Sequence, residues 1–353
     1  MIYVTCKENS ILELANQFNI TSSSLRACNQ NFEFNNIIKP DQCLEIPEAL
    51  ASILCPENYT YEKMVDDILV LKSRFPFLQV SLIGQSVLGK AIPVIKLGNG
   101  TSKIFCNGSH HAREWITTPL LMKFIESYSL SFVSGNPLYS YSISDIFSNC
   151  TIWVAPMVNP DGVNLAIKGL SEDNSFYFDL FKLNNSNQDF STWKANINGV
   201  DINRNYDAGW DEYKSLESSL AISGPCSAGY AGLFPESEPE TQAMVNYTRS
   251  INPHLVLAFH AQGEEIYWDY NGMKANKSFQ LANDLSKASG YTLTSPDEPG
   301  TLYAGYKDWF IKEFNSPGFT IEVGKETTPV PISQFEDIVE KNSKIILKAT
   351  TLI

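Results

Sequence analysis

A chain of 353 residues is long enough for one large domain and a small companion, and 43% hydrophobic against 18% charged residues gives it an ample core, which excludes a disordered chain. The net charge of −13 disfavours nucleic acid, whose phosphates are bound by Lys and Arg. No stretch has the roughly 18 uninterrupted apolar residues of a membrane-crossing helix, so no membrane span is expected.

Residues 1–48 form a pattern of their own. Ile2-Tyr3-Val4 reads as a strand, and Ile11, Leu14, Ala15 and Phe18 recur at helical spacing. A second short helix is expected over Ser22 to Cys28, followed by an extended run from Ile37 to Pro47. On Tyr3-Val4, Ile11 to Phe18, Asn29 and Gln42-x-Leu44-x-Ile46-Pro47 the segment resembles a LysM module. That resemblance implies a small βααβ domain binding N-acetylglucosamine polymers such as peptidoglycan glycan strands. The segment Lys7-Glu8-Asn9-Ser10 departs from the family's usual Gly-Asp-Thr, and a module that only packs or dimerises is the alternative.

The start of the chain has neither the basic end nor the apolar core of a signal peptide, so a cytoplasmic or spore-associated protein is expected, with action at the cell wall as the further expectation. Seven cysteines, Cys6, Cys28, Cys43, Cys55, Cys106, Cys150 and Cys226, lack any C-x-x-C pair and read as free thiols. A disulfide among the four before residue 56 is the rival.

Pro47, Pro56 and Glu57-Asn58 mark a boundary, with residues 49–58 as a linker and 59–353 as the main domain. A helix over Tyr61 to Arg74 precedes strands over Leu78 to Ile83 and Lys90 to Leu97. Strand-like Ile104 to Cys106, Cys150 to Val158, Leu255 to His260 and Gly318 to Val323 then alternate with helical Ile116 to Phe132, Glu236 to Ser250, Asn276 to Ser289 and Ile332 to Leu347. Such alternation means an α/β sheet with helices on both faces. The polar stretch Gly169 to Asn198 is long for a loop, which points to a functional role.

The densest chemistry lies in His111-Ala112-Arg113-Glu114-Trp115. A His and a Glu three residues apart at a strand-to-helix junction can face one point, and nitrogen with carboxylate oxygen suits zinc, which takes three protein ligands in catalytic sites. The remaining histidines are His110, His254 and His260; His260, ending an apolar strand, is the best third ligand. Asn159-Pro160-Asp161-Gly162 and Glu322 also fall at strand ends, where open α/β sheets bind ligands. A Glu322 carboxylate among Phe319, Ile321 and Val323 needs a purpose, and proton transfer at a metal site supplies one. Arg204 offers a fork for a carboxylate.

In family order, His111-x-x-Glu114, Asn159-Pro160-Asp161-Gly162, Gly199-Val200-Asp201-x-Asn203-Arg204-Asn205, His260 and Phe319-Thr320-x-Glu322 resemble the zinc carboxypeptidases over residues 59–353, with their mixed sheet. The resemblance implies one zinc ion on His111, Glu114 and His260, with Glu322 as general base and acid. Asn203 and Arg204 would hold the substrate carboxylate, and Asp201 would orient His111. Lys194 stands where digestive members carry an oxyanion-stabilising Arg, and Tyr303 is the candidate for their mobile tyrosine. Trp193-Lys194-Ala195-Asn196 and Gly305 to Phe310, behind a LysM-like module, look like bacterial γ-D-glutamyl-diaminopimelate peptidases. Lys307 falls at the base of the side-chain pocket, where a cation suits the distal carboxylate of diaminopimelate; solvent exposure is its alternative. The expected substrates are peptidoglycan peptides, with a general carboxypeptidase for acidic C-termini and a catalytically dead wall-binding protein as competitors.

Overall fold

The protein is described here by a computed structural model covering residues 1–5, 8–30, 37–48, 57–273, 275, 277–295 and 302–353. The N-terminal segment comprises β1 (Ile2–Val4), β2 (Asn9–Ser10), α1 (Ile11–Phe18), α2 (Ser22–Cys28), β3 (Ile37–Ile38) and β4 (Cys43–Glu45). β1 pairs antiparallel with β4, and β2 with β3. Helix α1 begins with a capping box, in which the Ser10 hydroxyl accepts from Glu13 N and Glu13 returns a bond to Ser10 N. Its apolar face meets α2 and the strands through Leu14, Leu25, Ile38 and Leu44, all at 0–1% exposure. Each Leu so buried contributes about 2 kcal/mol. The Asn29 amide donates to Leu25 O and Glu45 O and accepts from Glu45 N, all at 2.8 Å, tying the end of α2 to β4.

Residues 49–56 of the expected linker lie outside the described residues, as do Cys6 and Cys55. The five described cysteines are free thiols.

The main domain continues with α3 (Tyr61–Arg74), β5 (Gln79–Gln85), β6 (Ala91–Leu97), β7 (Ser102–Gly108), α4 (Thr117–Ser134), α5 (Ile143–Asn149), β8 (Cys150–Ala155), α6 (Pro160–Lys168), α7 (Tyr177–Leu183), α8 (Trp210–Leu216), α9 (Pro239–Ile251), β9 (Leu255–His260), β10 (Glu265–Tyr267), α10 (Ser278–Ser289), β11 (Thr292–Thr294), α11 (Tyr306–Phe314), β12 (Gly318–Glu322) and α12 (Phe335–Thr350). The sheet runs β11-β10-β12-β9-β7-β8-β6-β5, mixed as expected: β8, β7, β9 and β12 are parallel, and β5 and β6 are antiparallel at one edge. The chain leaves β7 toward β8 but leaves β9 toward β12. Their carboxyl ends therefore flank a topological switch point, where such sheets open a crevice.

Several boundaries differ from expectation for local reasons. The helix expected from Ile116 begins at Thr117, behind a tight turn at Ala112–Glu114. The one expected from Glu236 begins at Pro239, a residue suited to the first helical turn. Asn276 lies outside the described residues, and α10 starts at Ser278. The stretch 169–198 is not structureless: it contains α7 and buries Leu180, Phe190 and Trp193 in one cluster. Helix α11 escaped the periodicity reading because Tyr306 to Ile311 are all buried, polar residues included.

At 18 residues, α4 is about 27 Å long. It begins at the crevice and ends where the N-terminal unit docks. There Thr21 donates from its hydroxyl to Phe132 O at 2.8 Å and from its backbone to Val133 O at 2.7 Å. None of the described helices is long and apolar enough to cross a membrane.

Candidate active site

Strand register fixes the first part of the site. His260 and Glu322 are direct partners on parallel β9 and β12, so their side chains leave the sheet side by side. β7 ends beside β9, with Gly108 opposite Phe259, and the chain turns there through His111 to Glu114. These three segments meet at the switch point although 149 residues separate His111 from His260.

Nδ1 of His111 lies 2.9 Å from Glu114 Oε1, and Nδ1 of His260 lies 3.0 Å from Glu114 Oε2 and 3.1 Å from Nδ1 of His111. All three residues are buried. Asp201 Oδ1, an acceptor, sits 3.1 Å from Nε2 of His111, which places the proton on Nε2 and leaves Nδ1 its lone pair. Burial holds the His260 imidazole below its ordinary pKa, and hence neutral, the form that binds a metal. Two lone-pair nitrogens and a carboxylate this close repel one another unless a proton or a cation lies among them. Two imidazoles and one carboxylate are also a donor set that zinc favours. Burial pushes the Asp201 carboxyl up, but Lys194, His111 and Arg204 outweigh that and hold it well below the carboxylate range.

The other two histidines are accounted for elsewhere. His110 is buried behind the site with Nε2 2.9 Å from the Tyr206 hydroxyl. His254 accepts from Lys103 N at 3.2 Å, at the opposite end of the sheet.

Asn159-Pro160-Asp161-Gly162 acts as a fastener. The Asn159 side chain donates to His110 O at 3.0 Å and to Ala195 O at 3.1 Å, while its carbonyl accepts from Gly162 N at 3.0 Å to cap α6. A Cβ at Gly162 would lie 2.6 Å from Ala195 O, so the strap formed by Trp193, Lys194 and Ala195 can approach only a glycine. The strap in turn accepts from the metal-site turn: Ala112 N donates to Lys194 O and Arg113 N to Trp193 O. This brings Lys194 to the cleft, with Nζ 3.6 Å from Asp201 Oδ2.

The cleft, of about 280 Å³, is lined by His111, Arg113, Glu114, Lys194, Asn203, Arg204, Lys307, Asp308, Tyr267, Thr320 and Glu322, among others. Asn203 Oδ1 accepts from Tyr306 N at 2.9 Å, anchoring the Ile202–Arg204 turn to α11. Arg204 Nη1 donates to Asn203 O at 2.7 Å, and its guanidinium faces the Tyr213 ring at 5.4 Å. Burial, then the Glu114 carboxylate, push the Glu322 carboxyl well above its ordinary pKa, against Lys194 and Arg204.

Lys307 points into the cleft rather than to solvent, but it is not a free cation. Its Nζ lies 2.5 Å from Asp308 Oδ1 and also donates to Asp269 O. The expected lone positive charge is thus a buried ion pair. Tyr303 is not brought to the cleft: its ring packs over Gly209, where a Cβ would come within 2.6 Å of Tyr303 Cδ1. The tyrosine lining the cleft is Tyr267, on β10, whose hydroxyl donates to Glu265 Oε2 at 3.0 Å. Sequence reasoning passed over Tyr267, Asp308 and Arg113, although Arg113 stands between two of the candidate ligands.

A family model described as zinc carboxypeptidase matches residues 64–345. The γ-D-glutamyl-L-diamino acid endopeptidase 1 of Lysinibacillus sphaericus is 42% identical over 82% of this chain and 72% of its own length. The uncharacterized protein YqgT of Bacillus subtilis is 31% identical over 99% of this chain and 98% of its own. Bovine thrombin-activatable fibrinolysis inhibitor, solved with a tick carboxypeptidase inhibitor, shares the fold with a TM-score of 0.64 at 20% identity, covering 85% of this chain and 98% of that one. The chain therefore belongs to the zinc carboxypeptidase family and is a zinc metallopeptidase that takes one zinc ion, which its His111–Glu114–His260 group can hold.

Proposed function

We propose that this enzyme hydrolyses the bond between γ-linked D-glutamate and a diamino acid in peptidoglycan stem peptides, releasing the diamino acid as a C-terminal residue. The observation carrying this reading is the 42% identity to a γ-D-glutamyl-L-diamino acid endopeptidase. The cleft supports it, since its floor carries Lys307 and Asp308 as adjacent opposite charges. A floor of that kind suits the distal amino-carboxylate of diaminopimelate better than an apolar or singly charged side chain.

His111, Glu114 and His260 are the zinc ligands, with Asp201 orienting His111. Zinc, when bound, supplies the Lewis acidity that polarises the scissile carbonyl and acidifies a water molecule. Glu322 takes the proton and delivers it to the leaving nitrogen. Lys194 places a positive charge beside the developing oxyanion, as a point charge rather than a fork. Asn203 and Arg204 hold the terminal carboxylate of the released residue.

The N-terminal unit is a LysM-like glycan-binding module in this reading, spanning residues 1–48. It docks at the far end of α4, so a glycan bound to it would leave the cleft unobstructed.

The test is mass spectrometry of products after incubating the zinc-loaded protein with L-Ala-γ-D-Glu-diaminopimelate and with an α-linked peptide, each with a chelator control. Release of diaminopimelate that stops on chelation is expected. An intact γ-linked peptide beside a trimmed α-linked one would replace this reading with a general carboxypeptidase.

A further inference from the structure

The turn that carries His111 and Glu114 starts from a conformation that has to be held. Ser109, the first residue after β7, has a φ of 51°, the left-handed region in which a Cβ crowds the backbone. Three buried hydroxyls gather there, its own and those of Thr117 and Thr118 at the start of α4. Ser109 N donates to Thr117 Oγ1 at 2.8 Å, and Ser109 Oγ lies 3.0 Å from Thr117 Oγ1 and 2.8 Å from Thr118 Oγ1. Thr117 donates its own proton to Glu114 O at 2.9 Å, and Thr118 donates to Pro156 O at 2.8 Å. With both threonine protons committed, the Ser109 proton goes to a threonine oxygen, so each hydroxyl hydrogen of the group has an acceptor. Asn159 N closes the other side by donating to Ser109 O at 3.0 Å.

Thr117 Oγ1 thereby joins the two ends of one short loop. It accepts from the residue two places before His111 and donates to the carbonyl of Glu114. This loop has to keep His111 Nδ1 2.9 Å from the Glu114 carboxylate, a spacing that their lone pairs oppose until a cation arrives. Resting on the assignment of His111 and Glu114 as zinc ligands, we propose that Thr117 is a positioning residue for the metal, whose hydroxyl presets the Ser109–Glu114 backbone so that both ligands face one point before zinc binds. It acts through the backbone of the ligands, not by touching metal or substrate. The Thr118 hydroxyl, by contrast, fastens Ser109 to Pro156, just past β8. The two neighbours therefore separate positioning from stability. Removing either hydroxyl leaves a buried carbonyl without its donor, and that carbonyl belongs to a ligand in the case of Thr117 and to Pro156 in the case of Thr118.

The experiment measures zinc affinity by competition with a chromogenic chelator, the visible spectrum of the cobalt(II)-substituted protein, and the stability of the metal-free protein in chemical denaturant. Thr117→Val, which keeps the shape and removes the hydroxyl, should weaken zinc binding roughly ten- to hundredfold, the range for partners that orient metal ligands, while Thr117→Ser should stay within about threefold of the wild type. The cobalt bands of Thr117→Val should shift as well, because the ligands meet the metal at altered angles. Thr118→Val should lose a similar amount of stability yet keep zinc affinity near that of the wild type. Equal loss of zinc affinity in the two valine variants, or wild-type affinity in Thr117→Val, would overturn the role of Thr117. His111→Ala is the reference for the ligand set and should abolish zinc binding. Zinc held there at wild-type affinity would overturn the ligand assignment and this inference together, whereas zinc lost there but kept by Thr117→Val overturns the inference alone. Should Thr117→Val not fold, Ser109 decides. Ser109→Ala keeps the crowded Cβ and loses the hydroxyl, so it should bind zinc more weakly than Ser109→Gly, which has no Cβ to hold; wild-type affinity in the alanine variant would overturn the hydroxyl clamp.

Discussion

The rim of the main sheet and the N-terminal unit are held together by opposite means. At the rim, His111, Glu114, Asp201 and His260 are buried polar groups in a chain of contacts of 2.9 to 3.1 Å, each tolerable only because the others, or a cation, are present. In the N-terminal unit, Leu14, Leu25, Ile38 and Leu44 make a small apolar core that joins the larger one, and Thr21 alone supplies two hydrogen bonds to the end of α4. A directional network fails when one member is lost. An apolar core loses stability in increments, so the unit can be weakened without altering the chemistry.

The largest effect is expected from Glu322→Gln, which should lower kcat by about a thousandfold, within the range for removing a general base, while metal analysis still finds one zinc. An active variant would mean that the proton passes elsewhere. Leu25→Ala attacks the other region and should cost about 2–4 kcal/mol in chemical denaturation by creating a cavity. Turnover of a soluble peptide by the folded fraction should stay unchanged; a parallel loss would dissolve the contrast between the regions.

Arg204→Ala should reduce kcat/KM by roughly ten- to hundredfold on peptides with a free C-terminal carboxylate. C-terminally amidated analogues should lose far less, and equal losses would remove Arg204 from carboxylate binding.

The smallest effect concerns a buried carboxylate that is not a zinc ligand. Glu240 accepts from Val87 N at 3.1 Å, yet burial pushes its carboxyl up to about 7. Because the folded value exceeds the unfolded one, its contribution is fully present below the ordinary carboxylate range and is lost as pH rises through about 7. The stability of the wild type relative to Glu240→Gln should therefore fall by on the order of 2 kcal/mol between pH 4.5 and 7.5. Parallel pH profiles for the two proteins would refute this.

Much of the site could be read from residue order, because His111-x-x-Glu114 is local and because His260 and Glu322 each end an apolar run that reads as a buried strand. Asp201 and Asn203 came from motif resemblance and Arg204 from its fork and the same motif, none from periodicity, since a short turn has no period. Tyr303 was a candidate on family resemblance alone, whereas the ring that reaches the cleft belongs to Tyr267, on a three-residue strand too short to reveal which way it faces. The pairing of Lys307 with Asp308 was also hidden. Adjacent opposite charges at a helix start look like solvated surface, and here both are buried.

The sequence by itself determined the alternation of strands and helices, the chemistry of the donor set and the apolar pattern of the first 48 residues, because these depend on neighbours within a few positions. Only the tertiary structure decided that β7 and β9 stand side by side at a switch point, that the Asn159 fastener delivers Lys194 to the cleft, and that Lys307 arrives neutralised by Asp308. Those outcomes depend on strand order and burial, which couple residues a hundred or more positions apart and turn the same side chain from a surface charge into a partner.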